Sequence, residues 1–457
     1  MIETIVDWLV LCIVGFPTLA VFILALRAWF SHPWSERATM VIVGSAFGLS
    51  VLASATTTVW LLAGGPDQVK VLVGTWFSAE HYAFRWTFVA DHLSLPFATF
   101  SSVLNGLVAA FSRRYLHKEP GFARFYLLLT LFGAAVNFVV LAGSLDLVFL
   151  GWELVGLTSA LLIAFFHERR GPVEHGFLAF VTYRLCDVGL LAAIVALHYM
   201  VGTSALAPSA NDPWDVFIVP GTAAGATLVG LLILWASMGK AAQLPLSGWL
   251  PRAMEGPTPS SAVFYGALSI HLGPYLLLRA QSIIESSPWV SAAVISVGAL
   301  TALHATFVGR TQSDIKSALA YASMTQVGLI YVEIGLGFPR LALVHTIGHT
   351  AIRTLQILRS PSLLHDHHHL EQAMGRQLPR TGGHLERLVP QALQPWLYRV
   401  ALERGGFDAL LRDRVVAPSL RMIRWVDRLD RAWVDFLTRT PSIRRAEARQ
   451  QRDEVAP

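Results

Sequence analysis

Five ionisable residues lie in runs that are otherwise apolar, and their types are those of proton chemistry. Glu153 sits in LVFLGWELVGLTSALLIAF, Lys240 in SMGKAAQLP, and His345, His349 and Arg353 in HTIGHTAIR. A charge at a bilayer centre costs about 2.5–3.5 kcal/mol on insertion scales, so such residues face a protein interior or a hydrated cavity. Burial raises the pKa of a carboxyl and a nearby cation lowers it again, which suits Glu153 to a relay; a static ion pair is the alternative. A buried lysine can lose its proton to a moving partner, while a lysine near a helix end can instead snorkel to water. Both readings are open for Lys240. Steps of four residues turn a helix by about 40°, so His345, His349 and Arg353 share one polar stripe. Two histidines four apart can bind a metal, but HTIGH has no carboxylate base between them. Histidine titrates near neutral pH, so a hydrated proton path fits better. Arg353 keeps its charge and can only tune its neighbours.

Weaker signals accompany these. Arg184 and Asp187 are one helical turn apart and suit a structural pair or a relay. His271 lies in the next apolar stretch, and Asp314 with Lys316 opens a later helix. His365, His367, His368 and His369 resemble a metal cluster but read better as a solvated loop.

The elements that must position these residues are membrane helices. The chain of 457 residues is 54% apolar and 14% charged, with mean hydropathy +0.52; a soluble chain is about a quarter charged. Eleven spans are predicted, at 4–28, 38–64, 88–111, 123–142, 146–166, 176–201, 222–243, 258–282, 290–311, 316–337 and 340–360. Helices are required because lipid offers no partner to open backbone groups, and barrel-type alternation is absent. Cys12 and Cys186 lie within spans, so no disulfide framework is implied. The first span reads as a retained helix, not a cleaved leader. The net charge of +5, with arginines concentrated in the tail, does not indicate a nucleic-acid binder.

Loop charges set the orientation. Arg27, Arg37, Arg113, Arg114, Lys118, Arg124, Arg169, Arg170, Arg252, Arg310 and Lys316 fall on one side, and Lys70, Arg85, Arg279 and Arg340, with the acidic Asp212 and Asp215, on the other. This places the N-terminus outside and the C-terminus in the cytoplasm. Pro245, Pro251, Pro257 and Pro259 break the seventh span. A half-helix ending near Gln243 is expected there, and broken membrane helices often mark ion sites; a re-entrant corner is the plainer alternative. The membrane domain is taken as 1–361 and a cytoplasmic region as 362–457. That region begins as a polar loop. It continues as an Arg-rich amphipathic helix from Gly406 to Leu437, kinked at Pro418 and suited to an anionic leaflet or a partner.

GWELVGLTSALLI, GKAAQLPLSGWLPRAMEGPTPSSA, QSDIKSALAYASMTQVGLIYVEIGLG and HTIGHTAIRT occur in this order. Together they resemble the antiporter-like subunits of respiratory complex I and of Mrp cation/proton antiporters, over about residues 88–375. The resemblance implies inverted five-helix repeats, each giving half of a proton path. It also implies a glutamate–lysine pair, here Glu153 and Lys240, followed by His345 and His349. The departures are Arg353 where the family has lysine, Tyr265 where it has histidine with His271 six residues later, and no late helix carrying a final lysine or glutamate. The second half-path is therefore expected to be incomplete or completed differently.

The short form, with the SPSLLHDHHHLEQAMG segment and the basic tail, is most similar to the membrane subunit of bacterial DAB inorganic-carbon accumulation complexes. That resemblance implies a proton- or cation-conducting, non-enzymatic subunit in the bacterial inner membrane. It would energise conversion of CO2 to bicarbonate by a large cytoplasmic partner like a β-carbonic anhydrase. The zinc is expected in that partner, with no cofactor in this chain. The alternatives are a subunit of a complex I-like or Mrp-like assembly, pumping protons or exchanging sodium, and a non-conducting membrane anchor.

Overall fold

In the computed structural model, residues 2–30, 35–79, 82–206, 219–374 and 389–438 are described. Seven long helices come first: α1 (Ile2–Trp29), α2 (Glu36–Leu62), α3 (Ser94–Tyr115), α4 (Phe122–Leu141), α5 (Leu145–Ile163), α6 (Arg170–Val201) and α7 (Ala223–Lys240). A broken stretch holds α8 (Trp249–Arg252), α9 (Thr258–Ser261), α10 (Leu272–Arg279) and α11 (Gln281–Glu285). Long helices return as α12 (Pro288–Gly309), α13 (Ile315–Gly335) and α14 (Pro339–Met374). Among the described residues, α1 to α7 and α12 are long and apolar enough to cross a membrane, which makes this an all-helical polytopic membrane fold.

Side-chain caps set several helix starts. Ser35, Ser144 and Thr222 accept from the backbone N–H groups of Ala38, Leu147 and Gly225, and Asp314 accepts from those of Lys316 and Ser317. Pro17 lies inside α1 and offers no N–H to the carbonyl of Ile13, four residues back. That carbonyl is satisfied from other helices. Ser50 Oγ of α2 donates to it at 2.8 Å and Asn137 Nδ2 of α4 at 3.2 Å, while Ser102 of α3 joins both side chains at 2.9 Å. Four helices thus meet at one freed carbonyl. Elsewhere α12 and α13 pack backbone to backbone where Gly298 faces the carbonyl of Gly328, the close approach that small residues permit between membrane helices.

Four sequence expectations are corrected. Residues 88–91 belong to an antiparallel hairpin, β1 (Gln68–Ala79) with β2 (Tyr82–Asp91), and not to the third span. Alternation in KVLVGTWFSA and YAFRWTFVAD is the signal for it. The eighth span is a series of short pieces with a wide turn at Ala262–Ala267; Pro274, which offers no N–H to the carbonyl of Ile270, falls in the first turn of α10, where a new helix starts. The α7 helix stops at Lys240, before Gln243, where Ala242 takes a positive φ of 52°. The polar segment after residue 361 continues α14 to Met374 and is not a loop. Leu363, Leu364, Leu370, Glu371, Gln372, Ala373 and Met374 in it are good helix formers. The side chains of His365, His367, His368 and His369 lie outside the described residues.

Contacts divide the chain into residues 1–407 and 408–457. The first unit ends with α15 (Gln394–Leu402) and the turn that follows it. In the second, a wide helical turn at Arg412–Val416 runs directly into α16 (Ala417–Thr438), so Pro418 stands inside a continuous helical run, where its missing N–H falls at the change from the wide turn to the α-helix.

Candidate proton-path site

Lys240 ends α7 and is 1% exposed. Its Nζ donates to the carbonyl of Trp152 at 3.0 Å and lies 4.9 Å and 4.5 Å from the ring centres of Trp152 and Tyr183. The indole Nε1 of the same Trp152 donates to Asp187 Oδ1 at 2.6 Å. Asp187 Oδ2 is 2.8 Å from Arg184 Nη2, and Arg184 Nη1 pairs with Glu153. The order of contacts is therefore Glu153, Arg184, Asp187, Trp152, Lys240. Glu153 and Lys240, paired by motif resemblance, make no direct ion pair among the described residues. Arg184 and Asp187 stand between them, so the pair that looked structural occupies the centre.

Gly156 explains how two cations share this space. A Cβ built there would lie 3.0 Å from both Lys240 Nζ and Arg184 Nη2. The cations are thus within twice that distance of one another. They are held by the carboxylates of Glu153 and Asp187 and by the negative faces of the aromatic rings.

The second cluster lies on the other side of the break. His271 Nδ1 donates to the carbonyl of Ala267 and has Thr350 Oγ1 at 3.2 Å. His271 Nε2 is then an acceptor, and His349 Nδ1 donates to it at 2.9 Å. This tautomer assignment follows from the hydrogen-bond network. It leaves His349 Nε2 as a lone pair, buried and without a partner among the described residues. His345, one turn earlier, is oriented otherwise, with Nδ1 2.8 Å from Glu333 Oε1 and Nε2 3.0 Å from Gln326 Oε1. The rings of His345 and His349 are 6.4 Å apart, too far for a direct hydrogen bond. Arg353 is 8% exposed, beside the turn that contains Gly266.

Tyr183 and Ser269 lie between the clusters. Their hydroxyls approach one another without reaching hydrogen-bond geometry. Tyr183 flanks Lys240, and Ser269 is two residues from His271.

Lys316 stands apart from this line. Its Nζ donates to the carbonyls of Met254 at 3.0 Å and Gly256 at 3.3 Å, fastening α13 to the broken stretch. Pro245 lies five residues beyond Lys240, in the non-helical link between α7 and α8. Arg279, counted above as a loop charge, is buried at 3% exposure. It pairs with both oxygens of Asp91, donates to Tyr275 Oη at 2.9 Å, and so ties α10 to the end of the hairpin. Besides Asp91, two further carboxylates were missed. Glu333 could have been found by the reasoning applied to Glu153, since it too interrupts an apolar run. Asp146, in the first turn of α5, accepts from Tyr82 Oη at 3.0 Å, lies 3.2 Å from His198 Nε2 and is bonded by Ser204. Burial and then the Asp146 carboxylate push the Tyr82 phenol up to about 12, so it remains a donor.

A family model described as NADH:quinone oxidoreductase/Mrp antiporter, TM, matches residues 142–378, a little over half the chain. A second, described as NADH-Ubiquinone oxidoreductase (complex I), chain 5 N-terminus, matches residues 76–126. The chain is 32% identical over 328 residues to NADH-ubiquinone oxidoreductase chain 5 of Cryptococcus neoformans, covering 70% of this chain and 47% of that protein. It is 33% identical over 350 residues to NADH-quinone oxidoreductase subunit L of Escherichia coli, covering 75% and 56%. The chain thus spans about half the length of the curated relatives it matches.

Among solved structures, a chain of the Mrp complex from Dietzia sp. aligns at TM-score 0.62 and 25% identity, over 78% of this chain and 37% of that one. A chain of the archaeal membrane-bound sulfane sulfur reductase aligns at TM-score 0.63 and 18% identity, over 76% and 70%, a likeness of fold alone. The broken helix after Lys240, the buried ionisable residues around it and the match across 142–378 agree: the chain belongs to the NADH:quinone oxidoreductase/Mrp antiporter transmembrane family.

Proposed function

We propose that the chain is a proton-translocating subunit of a membrane complex, acting without enzymatic chemistry of its own. One observation carries this reading: a continuous order of contacts from Glu153 through Arg184 and Asp187 to a fully buried Lys240. Arg184 keeps its charge, so it sets the field in which two carboxylates and one amine exchange ionisation. A proton leaving Lys240 weakens the hold on Asp187, and Arg184 then shifts its balance between Asp187 and Glu153. The next stage is the histidine pair. A proton taken up at His349 Nε2 lets its Nδ1 proton pass to His271 Nε2, while Tyr183 and Ser269 lie along the interval from Lys240. His345 with Glu333 holds charge at the far end, and Arg353 tunes the histidines. Moving one charge across 100 mV is worth about 2.3 kcal/mol.

A hetero-complex fits the same geometry. Glu153 and Arg184 lie midway along their helices with side chains 26% and 32% exposed, on a face shared with Leu157, Leu161 and Val188. An ion pair at that depth calls for a protein neighbour. By sequence resemblance to the DAB branch, the neighbouring machinery is a cytoplasmic zinc protein converting CO2 to bicarbonate at a bacterial inner membrane. The second reading is a subunit of a complex I-like or Mrp-like assembly, the kind of assembly to which the similar subunit L and Mrp chain belong. Purifying the complex from native membranes with Lys240→Ala separates these readings. On the first, a large zinc protein co-purifies and dissolved-carbon accumulation is lost; on the second, other hydrophobic antiporter-like subunits co-purify. Parent-level proton flux in the assembled variant rejects both.

A further inference from the structure

Asp146 and His198 repeat, at one end of α5 and α6, the chemistry found at mid-span. Asp146 is seven residues before Glu153, two turns or about 10 Å along the same face of α5. His198 is eleven residues after Asp187, three turns or about 16 Å along the same face of α6. The carboxylate and imidazole are 3.2 Å apart, with side chains 14% and 24% exposed. The same two helices that hold Glu153 against Arg184 and Asp187 therefore hold a second acid–base pair nearer the surface.

This pair opens to solvent. A cavity of about 510 Å³ beneath the hairpin is lined by both residues and by Lys70, Tyr82, Arg85 and Ser204. The titratable groups facing His198 are Asp146 from α5, Tyr82 from β2 with its ring edge at 4.9 Å, and Lys70 and Arg85 from the two strands around the cavity. Tyr82 and Ser204 hold the carboxylate by hydrogen bonds, which fixes it beside the imidazole. Phe149 and Leu150 lie on α5 between Asp146 and Glu153.

We propose that Asp146 and His198 form the proton-exchange site at the hairpin face, passing protons between that cavity and Glu153. The proposal rests on the proton-translocation reading above. In the exchange, an incoming proton binds the free imidazole nitrogen or the carboxylate, and the same proton leaves toward Glu153, so charge is conserved at the pair.

The test is proton flux of the complex reconstituted in vesicles, read with a pH-sensitive dye. His198→Ala is expected to slow flux by at least about tenfold, below the hundredfold or more that positioned acid–base groups contribute. His198→Gln keeps a donor for Asp146 and is expected to slow it equally. Imidazole added on the hairpin side is expected to restore His198→Ala, whereas imidazole on the opposite side is not. Parent-level flux in both variants, or a loss that imidazole relieves from neither side, overturns the proposal and leaves Asp146 and His198 as a fastening for the hairpin. Glu153→Gln separates the two levels. If it abolishes flux while the His198 variants do not, this site alone is wrong; if it leaves flux unchanged, the translocation reading fails and this site with it.

Discussion

Lys240 and Asp187 hold opposite ends of one residue: the amine donates to the Trp152 carbonyl and the carboxylate accepts from the Trp152 indole. The backbone of α5 therefore couples a cation on α7 to an anion on α6, with Glu153 the next residue in the chain. The candidate path is thus held together by a tryptophan that cannot itself carry a proton.

At Gly156 both cations lie against the α5 backbone. A methyl group there would sit 3.0 Å from each cation. Gly156→Ala is expected to displace Arg184 or Lys240, to destabilise the protein by about 1–3 kcal/mol through overpacking, and to slow proton flux. Thermal unfolding in detergent and vesicle flux measure the two effects; unchanged flux would mean that the cations need not approach here.

The buried Asp91–Arg279 pair should behave as a unit. Removing one partner leaves an unpaired buried charge, so Arg279→Met alone is expected to cost about 3–5 kcal/mol. Combining it with Asp91→Leu should recover much of that loss. A double-mutant cycle on unfolding free energy checks the coupling, and strict additivity would contradict it.

The tautomers of His271 and His349 give a directional expectation. His349→Gln can still donate to His271 Nε2 but cannot shuttle a proton through a ring. The variant should assemble normally and lose flux by about a hundredfold. His271→Gln should do the same. Parent-level flux in either would remove the histidine pair from the path.

Pro17 and Ser50 are linked by a missing hydrogen bond. Ser50→Ala removes one donor from the Ile13 carbonyl and is expected to destabilise by about 1 kcal/mol. Pro17→Ala supplies a backbone N–H to that carbonyl, so the cost of Ser50→Ala should shrink in its presence. Melting temperatures of the four proteins decide it.

Much of this arrangement was legible because lipid penalises charge. Glu153, Lys240, His345, His349 and Arg353 stood out through residue type against their surroundings, and the prolines after Lys240 located the break. Which acid meets which base was not legible. A helical repeat shows that Arg184 and Asp187 share a face, yet not that Trp152 would join Asp187 to Lys240, since that depends on packing among three helices. Arg279 was misread as a loop charge because its partner, Asp91, is almost two hundred residues away and ends a hairpin that the apolar pattern concealed. His345 and His349 share a stripe as expected, but α13 supplies partners for one and the broken stretch for the other.

The sideways opening of Glu153 and Arg184 has a price in isolation. Two opposite charges presented to hydrocarbon at mid-depth would draw headgroups and solvent inward and thin the bilayer around them. In the proposed complex a protein neighbour would cover this pair, so a copy made alone is expected to leak or to be short-lived.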